Sequence, residues 1–309
     1  MHLVVLKCGA NLERVSPRPS FGLKTSQMGL GYEEIQRLWL QADQLPIFEH
    51  AWLWDHMVPL RGDVRGTTLE AWTLLAALAA QTERLRLGVI VTSNRLRPPA
   101  VLAKMAATLD HVADGRLIFG IGAGGHLVAD PAGTALVRRE HEAYGLPLVS
   151  AGEAVGALGE TLAIVRRMWS EDEPFDFAGR HYQLQGAICE PKPVQRPGPP
   201  ILLAACGERV ALRLAAEHAS LWICPTGDVE EFKRKSELLD QHCRALGRDP
   251  SEIGRLQQFI VSLDHAASTV SQMRAFAAAG CTHLVIAPRP PLPSAQELVE
   301  RIVEPVLAG

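Results

Sequence analysis

The sequence predicts an α/β protein made of eight strand–helix units, and three observations predict it. Short runs rich in leucine and β-branched residues alternate with longer Ala/Leu-rich stretches of helical periodicity. The alternation is strictly strand then helix, which implies a parallel sheet with right-handed crossovers. Eight such units in 309 residues fit a single (β/α)8 TIM barrel spanning residues 1–309, with modest insertions. A doubly wound open sheet is the main rival.

The first strand is expected at Leu3–Leu6 and its helix at Gly31–Leu45. The second unit pairs Ala51–Asp55 with a helix over Thr68–Arg84. The third pairs Leu85–Thr92 with Pro98–Ala113, where two prolines suit a first helical turn. The fourth strand, Arg116–Ile121, is followed by a break in the rhythm. Residues 125–152 carry Pro131, Gly133, Gly145 and Pro147 and read as a long loop with at most one helical turn. The helix Glu153–Trp169 follows it. Residues 174–199 form a second insertion, in which the alternation of "FDFAGRHYQLQG" predicts a small hairpin around Gly179. The remaining units pair Pro200–Ala205 with Glu208–Glu217, Ser220–Cys224 with Val229–Leu246, Leu256–Leu263 with Ser268–Ala279, and Thr282–Ala287 with Ala295–Leu307. Gly280 is placed to cap the penultimate helix.

Composition narrows the function. Apolar residues make up 47% and charged residues 21%, which excludes global disorder. A formal charge of −3 gives no basic surplus for nucleic acid. No apolar stretch is long enough to span a membrane, and "MHLVVLKCGANLERV" has too short an apolar run for a signal peptide. Six cysteines, Cys8, Cys189, Cys206, Cys224, Cys243 and Cys281, include no C-x-x-C pair. Reduced thiols in a cytoplasmic protein are therefore expected, with neither disulfides nor a zinc site. H-E-x-x-H, the P-loop and the G-x-S-x-G elbow are absent.

The chemistry is expected at the strand ends. "HAWLWDHM" is an apolar strand that stops on Asp55 and His56. In a barrel those two residues stand at the C-terminal face, where active sites lie. The competing reading makes Asp55 a turn cap and His56 a solvated loop residue. Gly120, Gly122 and Gly125 match G-x-G-x-x-G by letter. Neither an immediate helix nor an acid after the next strand supports a dinucleotide site. The stretch reads instead as a glycine-rich strand end that lets something flat approach the backbone. Cys206 and Gly207 turn tightly into a helix whose N–H groups, with Arg209, could hold an anion.

Four stretches together resemble the luciferase-like monooxygenase family, and within it the deazaflavin (coenzyme F420)-dependent oxidoreductases. They are "LWDHM", "TERLRLGVIVTSNRLRPPAVLAKMAATLDHVADGRLIFGIGAGG", "EHEAYGLP" and "PPILLAACGERVALRLAAEHASLWI". The resemblance implies a barrel whose mouth holds a deazaflavin or flavin ring with its phosphate tail running outward. It implies that Asp55 contacts the cofactor and that His56, also at the ring, donates or accepts a proton. It implies that Ile90 and Val91, with Thr92 next to them, form a bulge behind the ring, often with a non-proline cis peptide. Ala123 and Gly124 would lie beside ring and tail, and Ala205, Cys206, Gly207, Glu208 and Arg209 would hold the phosphate. Two departures stand out. Leu60 falls in the region where some sugar-phosphate dehydrogenases of the family carry a tryptophan, and Cys206 precedes Gly207 where two glycines are frequent.

The expected function is hydride transfer between coenzyme F420 and a small organic substrate. The alternatives are an FMN-dependent monooxygenase using reduced flavin and O2, and a non-catalytic ligand-binding barrel. Arg61, Arg65, Arg95, Arg97 and Arg209 near the strand ends are expected to favour the longer, more acidic F420 tail. The helix Thr68–Arg84 is apolar nearly all round from Leu69 to Ala80, so a homodimer through this helix and the one after Pro99 is expected. The only other partner expected is the small-molecule substrate.

Overall fold

The computed structural model describes residues 18–60, 63–124 and 131–308. β1 (Ser20–Lys24) leads to α1 (Tyr32–Asp43), and β2 (Phe48–Leu53) to α2 (Ala71–Ala79). β3 (Arg86–Val89) and its short continuation β4 (Thr92–Ser93) lead to α3 (Pro99–Val112). β5 (Leu117–Gly122) is followed by α4 (Pro131–Ala143), α5 (Ala151–Ser170) and the antiparallel pair β6 (Phe175–Ala178) and β7 (Gln183–Ala187). Then come β8 (Ile201–Ala204), α6 (Ala211–His218), β9 (Leu221–Ile223), α7 (Val229–Ala245), β10 (Gly254–Val261), α8 (Ala266–Ala278) and β11 (His283–Pro288). A last helical segment runs from Ala295 to Leu307. The strand order β3-β2-β1-β11-β10-β9-β8-β5, closed by β3 against β5, is a ring of eight parallel strands. The fold is the closed (β/α)8 barrel that the sequence predicts.

A strand such as β5 (Leu117–Gly122) lacks polar breaks because both of its faces are covered. Trp52 joins Ile90, Ile118, Leu202, Leu221, Ile223, Leu256 and Val285 in the cluster inside the ring. Its neighbours Ala51 and Leu53 belong to the larger core between strands and helices. Each large side chain buried this way contributes about 1.5–3 kcal/mol. Trp52 fits only because residue 88 is glycine: a Cβ there would lie 2.8 Å from its ring and 2.3 Å from the Ile118 carbonyl oxygen.

Four expectations need correction or restriction. Leu3–Leu6 lies outside the described residues, and the first barrel strand is Ser20–Lys24. That segment holds Ser20, Gly22 and Lys24 and so looks unlike a buried strand, yet all five of its residues are buried. The first insertion is not mainly a loop, because α4 occupies 13 of its residues. Pro131 and Gly133 fall in its first turn, where a proline costs no hydrogen bond, and the helix ends at Gly145 with φ +64°. The apolar outer face expected on α2 is small: Leu74, Leu75 and Leu78 are buried in the chain's own core, leaving Ala76 and Ala77 half-buried. Finally, Cys206 and Cys224 form a disulfide, with sulfurs 2.27 Å apart. The sequence places them 18 apart, but they follow neighbouring parallel strands, β8 and β9, whose pairing brings Ala204 opposite Ile223. Among the described residues Cys189, Cys243 and Cys281 are free and buried. The hairpin around Gly179 and the Gly280 cap, with φ +93°, stand as expected.

Candidate active site

A cavity of about 340 Å3 opens at the C-terminal ends of the strands, within the range of small-ligand sites. β2 ends at Leu53, so Trp54, Asp55 and His56 step out of the strand into its wall. Ile90, Val91, Gly122, Ala204 and Ile223 supply an apolar surface, and Lys24, Thr92, Ser93, Gly124, Gln258, Glu140 and His141 supply polar edges. The main-chain break between β3 and β4 falls at Ile90–Val91, whose peptide bond is cis. Gly122 lets the end of β5 lie against this bulge, since a Cβ there would come within 2.9 Å of Val91 Cγ2. Gly124 has φ +55° and packs on Ser93.

His56 is oriented by a carboxylate. Its Nδ1 lies 3.1 Å from Oε2 of Glu140 and 3.3 Å from Oε1. Oε1 also accepts from the Met57 backbone N–H at 2.6 Å. Burial pulls the Glu140 carboxyl upward, but the His56 hydrogen bond and charge and the Met57 N–H outweigh it and hold the group below its ordinary value. The His56 side chain is 31% exposed and that of Glu140 only 5%. The imidazole therefore reaches the cavity while its partner stays covered. α4 is fixed over this loop by Tyr144, whose hydroxyl donates to the Met57 carbonyl at 3.3 Å, and by Arg139, which donates to the Pro59 carbonyl.

The sequence does not single out Glu140, because Pro131 and Gly133 predict a loop where α4 stands. Its signal was present in "EHEAYGLP". The adjacent His141 is buried; its Nδ1 meets the Val137 carbonyl at 3.0 Å and its Nε2 has no hydrogen-bond partner.

Asp55 lines the cavity and is held there by a charged network. Its carboxylate is bound by Arg97 Nη1 and Nη2 at 2.9 and 3.0 Å and by the Ser93 N–H at 2.9 Å. Burial raises its pKa while Arg97 and Ser93 pull it back. The side chain is 2% exposed. Asp55 ties the end of β2 to β4 at the wall of the cavity. Arg97, expected at the rim, is consumed by the same network, pairing with Asp55 and Glu70 at 11% exposure. Two neighbouring carboxylates draw it inward. Of the other rim arginines, Arg61 lies outside the described residues and Arg65 pairs with Asp63 at the surface. Arg95 is half-buried, with its Nε unpartnered, and Arg209 is exposed.

The structure brings Asp55, His56, Ile90, Val91, Thr92 and Gly124 to one cavity. Ala123 and residues 205–209 do not line it; they lie in the loops just past Gly122 and Ala204. The second loop is held by α7: Lys235 Nζ donates to the Cys206 carbonyl at 2.7 Å and to Glu208 at 3.0 Å. Arg234 reaches Glu208 at 2.8 Å. No group of three metal-ligating side chains occurs among the described residues.

The family model for luciferase-like monooxygenases matches residues 16–303. A relative from Kineococcus radiotolerans, named F420-dependent glucose-6-phosphate dehydrogenase, is 32% identical over 70% of this chain and 60% of its own length. The phthiodiolone/phenolphthiodiolone dimycocerosates ketoreductase of Mycobacterium tuberculosis is 35% identical over 60% of this chain and 45% of its own. The chain thus spans about half to three-fifths of the length of these curated relatives. The solved F420-dependent secondary alcohol dehydrogenase in complex with an F420-acetone adduct superposes with a TM-score of 0.79. That match covers 94% of this chain and 99% of the other at 17% identity, a likeness of fold. With the family's match running from the first barrel strand to the last helix, the chain belongs to the luciferase-like monooxygenase family.

Proposed function

We propose that the protein is a coenzyme F420-dependent oxidoreductase that transfers a hydride between the deazaflavin and a small organic substrate. The observation that carries this is the His56–Glu140 pair, set beside an apolar wall in the mouth of this family's barrel. The F420 dependence in the names of two curated relatives supports the choice of cofactor.

The residues fit a flat ring with an anionic tail. Ile90, Val91, Gly122, Ala204 and Ile223 offer it a nonpolar surface, with the missing Cβ of Gly122 leaving the strand end flat. Buried N–H or N groups of Trp54 and His141 have no partner within the protein and can meet its polar edge. The exposed turn 206–209, with Arg209 and the neighbouring Arg234, suits the tail. Bound there, the deazaflavin supplies or accepts the hydride. The protein's share is to place the substrate, exclude water and move one proton. His56 moves that proton, because imidazole exchanges protons near neutral pH. Glu140 holds the imidazole in one orientation.

His56→Ala tests the reading. Turnover should fall by roughly 10²–10⁴-fold, the usual worth of an acid–base group, while F420 affinity changes little. Near wild-type turnover in this variant would contradict it.

We also propose that the protein is a homodimer. Val101 and Val112, half-exposed on α3 beside the alanine face of α2, support the contact. Light scattering at micromolar concentration should give twice the chain mass; a strict monomer would refute it.

A further inference from the structure

A buried lysine stands in the same mouth and the proton chemistry does not use it. Lys24 is the last residue of β1 and is 5% exposed. Its Nζ donates to Oε1 of Gln258 at 2.9 Å and lies 4.4 Å from the centre of the Trp54 ring. Both of those residues line the cavity, as Lys24 does. The lysines that pair with carboxylates among the described residues are Lys192, Lys233 and Lys235. Lys24 meets only an amide oxygen and an aromatic face. Burial lowers its pKa to about 7.

Position adds the second half of the argument. Gln258 belongs to β10, four strands round the ring from β3 in either direction. Gln258 therefore stands across the ring from the Ile90–Val91 surface; the Lys24 Nζ reaches it from β1, two strands from β3, and His56 follows β2, the strand between β1 and β3. A site of this shape has a nonpolar side for a ring, a proton carrier at its edge, and a cationic pole facing the ring. An ammonium taken out of water without a counter-charge is costly. It has three N–H donors, and Gln258 occupies one.

We propose that Lys24 and Gln258 form the substrate-anchoring pole of the site, at which the Lys24 ammonium binds an oxyanion group of the substrate, a carboxylate or a phosphate. The inference rests on the F420-dependent reading and narrows its substrate class to anionic molecules. Gln258 fixes the ammonium through its amide oxygen, the Trp54 face steadies it by cation–π attraction, and the bound anion supplies the missing charge. A neutral substrate of the same shape leaves the lysine uncompensated and binds more weakly.

The experiment is calorimetric titration of F420-loaded protein with acetate, inorganic phosphate and, as the neutral counterpart, acetamide. One of the two anions should bind and acetamide should not; which anion binds tells carboxylate from phosphate. Lys24→Met should weaken that binding by about tenfold or more, the worth of a charge-assisted hydrogen bond. F420 affinity should stay within about threefold, below the effect of one such bond. Gln258→Leu, which keeps the cation and loses its holder, should weaken anion binding by a smaller factor, and it serves as the test if the lysine variant does not fold. Unchanged anion binding in the folded Lys24 variant, equal binding of acetamide, or binding of neither anion to protein that has taken up F420 would overturn the inference. Failure of F420 to bind at all would sink the cofactor reading instead. The anion titrations repeated on the cofactor-free protein would then decide the role of Lys24 alone.

Discussion

His50 and His56 flank the two ends of one strand, and their surroundings give them opposite chemistry. His50, near the start of β2, is buried. Its Nδ1 accepts from the Trp52 indole N–H at 2.6 Å, and its ring stacks on His283 at 5.5 Å. Burial first, then the nearby His283 and Arg86, holds its pKa well below the ordinary histidine value. It is a neutral packing residue with no carboxylate to stabilise a charge. His56, past the strand's other end, is partly exposed and faces the buried carboxylate of Glu140. A ring of the same kind is thus packed at the closed end of the barrel and set against a carboxylate at the open end. The difference follows from partner and solvent access, not from residue type.

The comparison can be broken at either end. The largest effect is expected from Glu140→Gln, which keeps the shape and removes the charge facing His56. Turnover should fall by about 10- to 100-fold, the equivalent of one hydrogen bond to a charged group. Its pH dependence follows from the depressed carboxyl. Glu140 is ionised above its ordinary 4.5, so the pair is intact there and is lost only as pH falls through the lower folded value. The acid limb of the wild-type stability curve that belongs to Glu140 should accordingly vanish in the variant. Unaltered turnover in Glu140→Gln would show that the carboxylate does not serve His56.

At the closed end, Gly22→Ala should destabilise the fold by about 1–3 kcal/mol through overpacking. A Cβ at residue 22 would fall 1.9 Å from His50 Nδ1. Activity per folded molecule should be unchanged, and chemical denaturation measures the loss. An equally stable variant would mean that His50 is not held as described.

The last effect concerns pH. His283 is lowered to about 4, by burial first and then Arg86. Between its ordinary 6.5 and that value the unfolded chain binds a proton that the folded chain refuses. Stability should therefore fall as pH drops from 6.5 towards 4 and then level off for this group. His283→Gln should flatten that stretch of the melting-temperature curve. An identical slope in the variant would assign the loss to other groups.

These elements also show what could be read before the structure. Units whose apolar period is strong, such as β2, β5 and β11, were placed within about three residues, the usual error at element ends. The strand Ser20–Lys24 was missed because its chemistry serves the barrel mouth rather than β propensity: Lys24 and Gly22 are poor strand formers put there by the site and by His50. Glu140 was missed for a related reason. A proline and a glycine at the start of α4 read as breakers, although a first turn tolerates both. Asp55 and Arg97 were identified as site residues, but their mutual pairing was not. A contact across 42 positions leaves no trace in local spacing. The same holds for Cys206 and Cys224, which only strand adjacency brings together.

The central claim is that this mouth takes a deazaflavin. Equilibrium titration of cofactor-free protein with F420 and separately with FMN, followed by the change in each ligand's own fluorescence, tests it without a known substrate. The account predicts that F420 binds tighter by about tenfold or more, a difference of about 1.4 kcal/mol. FMN binding tighter by that margin would contradict it, and would make a monooxygenase supplied with reduced flavin the better reading.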